Sequence, residues 1–211
     1  MLKKPENYES IELREFDFVP LELGGHKGII KKVEEYTSDY SGNTSLRVAV
    51  DTDKNDKQPS YFQDQYNKDT RPEKKWSNGA IKYVSLKDDE NCVRMLKAFI
   101  TAVENSNPNF KYDWNKDLNQ LVGKKVGLVF GLEEYENDKK EIKTATKLTQ
   151  FRSADKVDNV KIPKVKLITG AFIDYNEYIA RKTNTKPADD NDIFATITEY
   201  VGENDGSDIE L

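Results

Sequence analysis

The fold is decided by the stretch GIIKKVEEYTSDYSGNTSLRVAVD, residues 28–51. In its second half, Leu46, Val48 and Val50 alternate with Ser45, Arg47 and Ala49, which is the period of a strand with one buried face. Its first half mixes Ile, Val and Tyr with Lys and Glu. The residues in between, SDYSGN, tolerate tight turns and positive φ angles. The stretch therefore predicts a β-hairpin.

The open face of this hairpin combines cations with aromatic rings. In the predicted register that face carries Lys31, Tyr36, Tyr40 and Arg47. Cations interleaved with aromatic side chains on an open sheet suit stacked nucleobases and phosphates. A face that is merely solvated fits the same residues, so the hairpin alone leaves both interpretations open.

Further strands and one clear helix follow the hairpin. Residues 61–66, YFQDQY, read as a short aromatic third strand that residues 80–86 resume. Residues 89–104 place their apolar side chains on one stripe, which predicts a helix. Residues 125–135 and 142–151 alternate again around the turn NDKK and predict a second hairpin. Shorter helical segments are expected at 117–122 and 175–181.

This order of elements predicts the fold class. It is mainly β, a five-stranded OB-fold barrel of Greek-key order with a helix between strands 3 and 4. The loops at 37–43 and 136–141 would then flank the binding groove. We divide the chain into an N-terminal lead-in that packs on the barrel, the OB-fold domain, a C-terminal extension and an acidic tail, at residues 1–25, 26–158, 159–185 and 186–211.

Charge is distributed unevenly along the 211 residues, whose formal net charge is −5. Residues 186–211 hold eight acids and one base, whereas residues 1–185 hold 32 bases and 30 acids. A mildly basic body with an acidic tail is compatible with a polyanionic partner. The sequence has no run of 18 apolar residues, no signal peptide pattern and a single cysteine, Cys92, so the expected location is the cytoplasm.

The sequence assembles no catalytic or metal centre, and it predicts no enzyme and no cofactor. His26 is the only histidine, and a structural role fits it better than catalysis. The segment that begins with Asp51 and Asp53 starts like a calcium-binding loop. Asp56, however, occupies the position where such a loop needs glycine, and Phe62 occupies the position where it needs glutamate. A metal-dependent nuclease that uses Asp51 and Asp53 with distant carboxylates stays an alternative.

Four segments, within residues 20–155, resemble the OB-fold single-stranded-DNA-binding proteins of bacteriophages and integrated elements of Gram-positive bacteria. They are GGHKGIIKKVEE, the SGN turn before LRVAVD, YFQDQY and LVGKKVGLVFGLEEYE. The resemblance implies a protein that coats exposed single strands during phage DNA replication or recombination in the bacterial host cell. It also implies an acidic tail that recruits replication or recombination proteins. The last residues here, SDIEL, are acidic but lack the Pro-Phe ending of many such tails.

The expected function is sequence-tolerant binding of single-stranded DNA without catalysis, and a protein-interaction module on the same fold is a further alternative. Trp76 lies in a loop with Lys74 and Lys75, where it either stacks on bases or folds back onto the body. The sequence leaves open the oligomeric state, including a homo-oligomer, and the choice between DNA and RNA. The candidate DNA-binding residues are Lys31, Tyr36, Tyr40, Arg47, Tyr61, Tyr66, Trp76, Tyr135, Lys143, Lys147, Phe151 and Arg152. The candidate partner-binding residues in the tail are Asp205, Asp208, Ile209 and Glu210.

The charge of the tail generates a first prediction. A tethered acidic segment competes with DNA for a basic groove at a local concentration of order millimolar. Deletion after Thr185 should therefore tighten single-strand binding at low salt, and the gain should fade as salt screens both attractions. Titration at two salt concentrations, with a melting temperature for each protein, measures this. If the tail only aids solubility, its deletion leaves the affinity unchanged. If the tail docks on the body, its deletion lowers the melting temperature. Weaker DNA binding by a truncated protein that is fully folded would contradict the competition.

Overall fold

Strand β1 (Gly24–Thr37) is the strand around which the sheet is built. In the computed structural model, which describes residues 3–6, 8–10 and 19–184, it pairs antiparallel with two partners. Its first part pairs with β4 (Lys125–Glu136) and its second part with β2 (Thr44–Thr52). A β-bulge between Ile30 and Lys32 lies just beyond the last pair with β4. A bulge bends its strand and increases the local twist, so β1 can serve both partners.

The remaining strands extend the sheet on both sides of this centre. β3 (Ile81–Ser85) pairs with β2, and β5 (Ile142–Arg152) pairs with β4. The two-residue strands β6 (Val165–Lys166) and β7 (Phe172–Ile173) continue beyond β4. The described residues thus form a mainly β fold with a seven-stranded open sheet. Both predicted hairpins are confirmed as β1–β2 and β4–β5.

The described residues also form three α-helices: α1 (Tyr61–Lys68), α2 (Glu90–Ser106) and α3 (Tyr175–Asn184). The helices predicted at 89–104 and 175–181 are therefore confirmed, each with a longer C-terminal end. The helical turn expected at 117–122 is present as one of the 3₁₀ segments, which are Asn78–Ala80, Leu118–Leu121 and Ala154–Lys156. None of the helices in the described residues has the length and apolar character needed to cross a membrane.

The prediction that residues 61–66 form the third strand is wrong, because these residues form α1. Asp51 Oδ1 accepts hydrogen bonds from the backbone N–H groups of Phe62 and Gln63, at 2.9 Å and 3.4 Å. The N–H groups of a first helical turn have no partner within the helix, so a carboxylate there stabilises it. This carboxylate comes from β2, and no pattern within residues 61–66 reveals it. The third strand is β3, inside the segment 80–86.

Helix α2 packs its apolar stripe against the inner face of the sheet. The Asp89 side chain accepts hydrogen bonds from two backbone N–H groups of the first turn, at 3.1 Å and 3.0 Å, and so fixes where the helix begins. Phe99, Ile100 and Val103 are buried, whereas Met95 near the start of the stripe is exposed. The main core therefore lies between the second half of α2 and the strands.

The chain between β5 and β6 runs across one outer face of the sheet. A Cβ atom on Gly25 would lie 1.9 Å from the Val157 carbonyl oxygen, and one on Gly127 would lie 2.4 Å from Val157 Cγ1. Both distances are too short for any side chain, so glycine at these positions permits the close approach. This outer face of β1 and β4 is consequently covered by protein.

A second apolar cluster holds α3 against the β4–β5 hairpin. It is centred on Leu132, Val165 and Tyr178. The Tyr178 hydroxyl lies 2.6 Å from the Thr144 hydroxyl, and burial raises the pKa of Tyr178 to about 12. The described part of the predicted extension, 159–184, therefore includes residues that pack on the sheet. Residues 1, 2, 7 and 11–18 of the predicted lead-in, and the whole predicted tail at 186–211, lie outside the described residues.

His26 is buried within the sheet and holds the loop after β2. Its Nδ1 atom lies 2.8 Å from Asp56 Oδ1, and its Nε2 atom lies 3.0 Å from the Glu22 carbonyl oxygen. Asp56 also accepts hydrogen bonds from the backbone N–H groups of Lys27 and Gln58, at 2.7 Å and 3.0 Å. Burial acts to raise the pKa of Asp56, but these hydrogen bonds and the His26 charge outweigh it and lower that pKa.

The lowered pKa of Asp56 gives a prediction for acid stability. A carboxyl whose pKa is lower in the folded state stabilises the fold above its unfolded pKa of about 3.9, and this contribution is lost as the pH falls through the folded pKa. Asp56→Asn should reduce stability at pH 7 and flatten the loss of unfolding free energy between pH 5 and pH 2, as measured by urea titration. The exposed Asp39→Asn is the control. Equal acid losses in the wild type and Asp56→Asn would contradict the assignment.

Candidate nucleic-acid interface

Two residues that the sequence predicts for the interface, Tyr36 and Arg47, lie together on the outer face of β1, β2 and β3. This face is away from the chain between β5 and β6 that covers β1 and β4. The register pairs Glu34 of β1 with Arg47 of β2, and Arg47 with Tyr83 of β3. Tyr36 follows two residues after Glu34 on the same face. Because neighbouring side chains on a strand point to opposite faces, Leu46 and Val48 enter the core while Arg47 faces outward.

Tyr36 and Tyr83 form an aromatic pair on this face, which we call the tyrosine platform. Their ring centroids are 5.5 Å apart with planes inclined at 58°. The guanidinium carbon of Arg47 lies 5.0 Å from the centroid of the Tyr36 ring, within the range of a cation–π contact. Tyr83 keeps 36% of its surface exposed. An aromatic pair that is held in place and still accessible can stack with a planar ligand.

Arg47 itself is not the exposed cation that the sequence suggests. It is only 7% exposed, and its guanidinium forms a two-nitrogen ion pair with Glu34 Oε1, with Nε at 2.7 Å. Burial acts to raise the pKa of Glu34, but the hydrogen bond from Arg47 and the charges of Arg47 and Lys32 lower it overall. Arg47 therefore supports Tyr36 and carries a charge that Glu34 largely neutralises.

The other two hairpin residues of the prediction lie outside the platform. Tyr40 is fully exposed in the loop between β1 and β2. Lys31 is the extra residue of the β1 bulge. Burial raises the pKa of Asp51, and the charge of Lys31 is one of the weaker effects that oppose this rise, so the two residues are close.

Tyr135, Lys143 and Lys147 occupy the β4–β5 hairpin. The register pairs Tyr135 with Lys143, and Gly131 with Lys147. Their spacing places Lys143 and Lys147 on one face, as the sequence predicts, and all three named side chains are half-buried. Arg152 at the end of β5 is exposed and donates a hydrogen bond to Gln150 Oε1 at 3.1 Å.

The prediction that Phe151 shares the face of Lys143 and Lys147 is wrong. A second β-bulge falls between the pairs Val129–Gln150 and Phe130–Leu148, and it inserts one residue into β5. One inserted residue reverses the alternation beyond it. Phe151 therefore points inward, where its ring centroid lies 4.6 Å from that of Phe99.

Trp76 and the two tyrosines of α1, which the sequence predicts for the DNA-binding face, lie elsewhere in the structure. Trp76 is 3% exposed, and its indole N–H donates to the Val50 carbonyl oxygen at 3.1 Å, so the fold-back alternative is the one found. Tyr66 lies against Trp76 with centroids 5.7 Å apart. Tyr61 packs against the core, and burial raises its pKa. All three serve packing, because α1 and its loop cover part of the body instead of forming a strand.

Tyr83 is not among the residues that the sequence predicts for the interface. Its only signal is the segment 80–86, which the sequence pattern indicates as the continuation of a strand, and that preceding segment is a helix. The pairing of Tyr83 with Arg47 is a long-range register and has no counterpart in local pattern. The tail residues Asp205, Asp208, Ile209 and Glu210 lie outside the described residues.

A separate groove of about 600 Å³ lies between α2, the β1–β2 hairpin and the chain after α2. Trp114 lines it and is 70% exposed, with Tyr112 in edge contact at 4.8 Å. Glu35 and Leu46 also line it, and they face opposite to Glu34 and Arg47 on the same strands. The groove is therefore on the other side of the sheet from the platform.

Neither a family model nor a curated protein matches this chain. Among the described residues, no group of three or more His, Cys, Asp and Glu side chains is placed to hold a metal ion.

The placement of Trp76 changes the expected effect of replacing it. Trp76→Ala should lower the free energy of unfolding by about 3–5 kcal/mol, because it leaves a cavity in the core. Trp76→Phe keeps most of the packing but removes the hydrogen bond to Val50, at a cost of about 1 kcal/mol from that bond. Denaturant titration measures both. A Trp76→Ala protein with wild-type stability and weakened DNA binding would restore the stacking role.

Proposed function

We propose that this chain binds single-stranded DNA without catalysis, through the outer face of β1, β2 and β3. The observation that carries the proposal is the tyrosine platform: two rings 5.5 Å apart, one beneath a guanidinium and the other partly exposed. Base stacking on aromatic side chains tolerates any sequence, since every base has a π-face. A duplex hides those faces within its own stack, so such a surface favours single strands.

We also propose that the strands form an OB-type barrel. The order β3-β2-β1-β4, with β5 on β4 and α2 between β3 and β4, supports it. The 3₁₀ segment before β3 approaches β5, since a Cβ on Gly79 would lie 2.6 Å from the Thr146 carbonyl oxygen. In an OB-fold, the face of strands 2 and 3 and the adjoining loops bind the nucleic acid. The exposed Tyr40 loop and the β4–β5 loop would then border this nucleic-acid-binding surface.

The charge of the chain before the acidic tail is compatible with the proposal but is weaker support than the tyrosine platform. The body up to residue 185 has a charge of +2, and Lys31, Lys143, Lys147 and Arg152 are the phosphate candidates outside the platform. The acidic residues 186–211 would restrain binding or recruit replication or recombination proteins, as the resemblance to phage single-strand binders implies. A host-cell cytoplasm is the proposed location.

The nuclease alternative loses support from the hydrogen bonds of its two carboxylates. Asp51 Oδ1 accepts from the N–H groups that begin α1, and Asp53 Oδ1 accepts from the backbone and side chain of Asn55, at 2.9 Å and 3.0 Å. Both aspartates are buried. Their contacts explain them as structural residues. A protein-interaction role remains the second candidate, and the groove beside Trp114 is the observation that favours it.

The binding prediction is specific to the platform. Tyr83→Ala and Tyr36→Ala should each weaken single-strand binding by about 1–3 kcal/mol, the range measured for one stacked base, whereas Tyr83→Phe keeps the ring and most of the affinity. Anisotropy titration with a fluorescent oligonucleotide measures these effects. Phe172→Ala is the matched control, because Phe172 is an exposed aromatic residue on β7, the strand farthest from β3 in the sheet order.

A wild-type protein that binds duplex as tightly as single strands would contradict the proposed function. So would unchanged binding by folded Tyr36→Ala and Tyr83→Ala proteins.

A further inference from the structure

A carboxylate lies in the middle of the surface proposed to bind a polyanion. Glu34 pairs across the strands with Arg47, which pairs with Tyr83. A negative charge there repels phosphate, so the position calls for a physical explanation. The explanation below rests on the proposed function, because it concerns how the same platform selects its ligand.

Both oxygens of Glu34 face cations. Oε1 accepts two hydrogen bonds from the Arg47 guanidinium, with Nε at 2.7 Å. Oε2 lies 3.3 Å from Lys32 Nζ. The Glu34 side chain is 30% exposed, so its charge also reaches the solvent in front of the platform. One carboxylate thus offsets much of the field of two cations that would otherwise attract phosphate.

We propose that Glu34 is a specificity-determining residue of this interface. By engaging Arg47 and Lys32, it weakens the attraction of the platform for phosphate alone and makes binding depend on bases that stack on Tyr36 and Tyr83. A duplex presents phosphates without accessible base faces, and a single strand presents both. Glu34 therefore increases the preference for single strands at the expense of total affinity.

The test compares three probes of equal length: a base-bearing single strand, an abasic single strand and a duplex. Glu34→Gln keeps the shape and removes the charge. At low salt it should tighten abasic-strand and duplex binding about threefold, the effect of one charge about 6 Å away in water. The base-bearing strand should gain less. The log–log salt slope should steepen by about 0.7 for each additional single-strand phosphate neutralised.

Two variants separate the local contact from overall charge. Glu35→Gln makes the same charge change one residue away, on the opposite face beside Tyr112. It should keep the wild-type ratio of single-strand to duplex affinity. Glu34→Asp keeps the charge and should also keep most of that ratio.

A wild-type protein that prefers single strands, with a Glu34→Gln variant of unchanged ratio, would overturn the inference and leave the proposed function intact. An equal change in Glu35→Gln would overturn it too, since net charge would then suffice. If Glu34→Gln fails to fold, Lys32→Ala in the wild-type background tests the inference instead. Because Glu34 engages Lys32, removing Lys32 should change the salt slope by less than about 0.7, the value for one phosphate contact. A larger change would mean that Lys32 already binds phosphate despite Glu34. Failure of the wild type to bind single strands contradicts the proposed function instead.

Discussion

The double pairing of β1 is the constraint on which the rest of the structure depends. One strand of 14 residues pairs with β4 along its first part and with β2 along its second, and the bulge after Ile30 lies at the change of partner. A bulge bends its strand and increases the local twist, so the two hairpins that meet at β1 can curve around the apolar side of α2. The bulge also resets the alternation, so that Lys32, Glu34 and Tyr36 face outward beyond it.

The outer surface of the sheet is covered over β1 and β4 but not over the face of β1, β2 and β3 that carries the platform. The chain after β5 lies so close to Gly25 and Gly127 that no side chain fits there. On the face of β1, β2 and β3, charged and aromatic side chains project instead and contact one another. Glu34, Arg47, Tyr36 and Tyr83 are linked by ion-pair, cation–π and ring contacts. A preorganised aromatic surface loses little side-chain entropy when a ligand binds.

Sequence alone predicted the elements whose signal is local. The hairpins follow from alternation around turn residues, and α2 follows from its stripe and its Asp89 cap. The errors come from long-range effects: a carboxylate of β2 accepts the first N–H groups of α1, and a bulge turns Phe151 inward. The choice between the two alternatives for Trp76 also depends on a distant residue, because the Val50 carbonyl oxygen accepts the hydrogen bond of its indole N–H. Half of the proposed site could be predicted, since the sequence pattern indicates Tyr36 and Arg47 but does not indicate Tyr83. The pairing that joins these three residues depends on the register of separate strands, which local periodicity does not contain.

The most direct measurement is to map backbone amide chemical shifts while a single-stranded oligonucleotide is added to the full chain. We expect the largest changes at residues 32–37, 45–49 and 81–85, and little change at residues 153–164 across the covered face. Changes concentrated at residues 112–119, which line the groove beside Trp114, would contradict the platform as the binding surface. The absence of any change at saturating oligonucleotide would contradict nucleic-acid binding altogether.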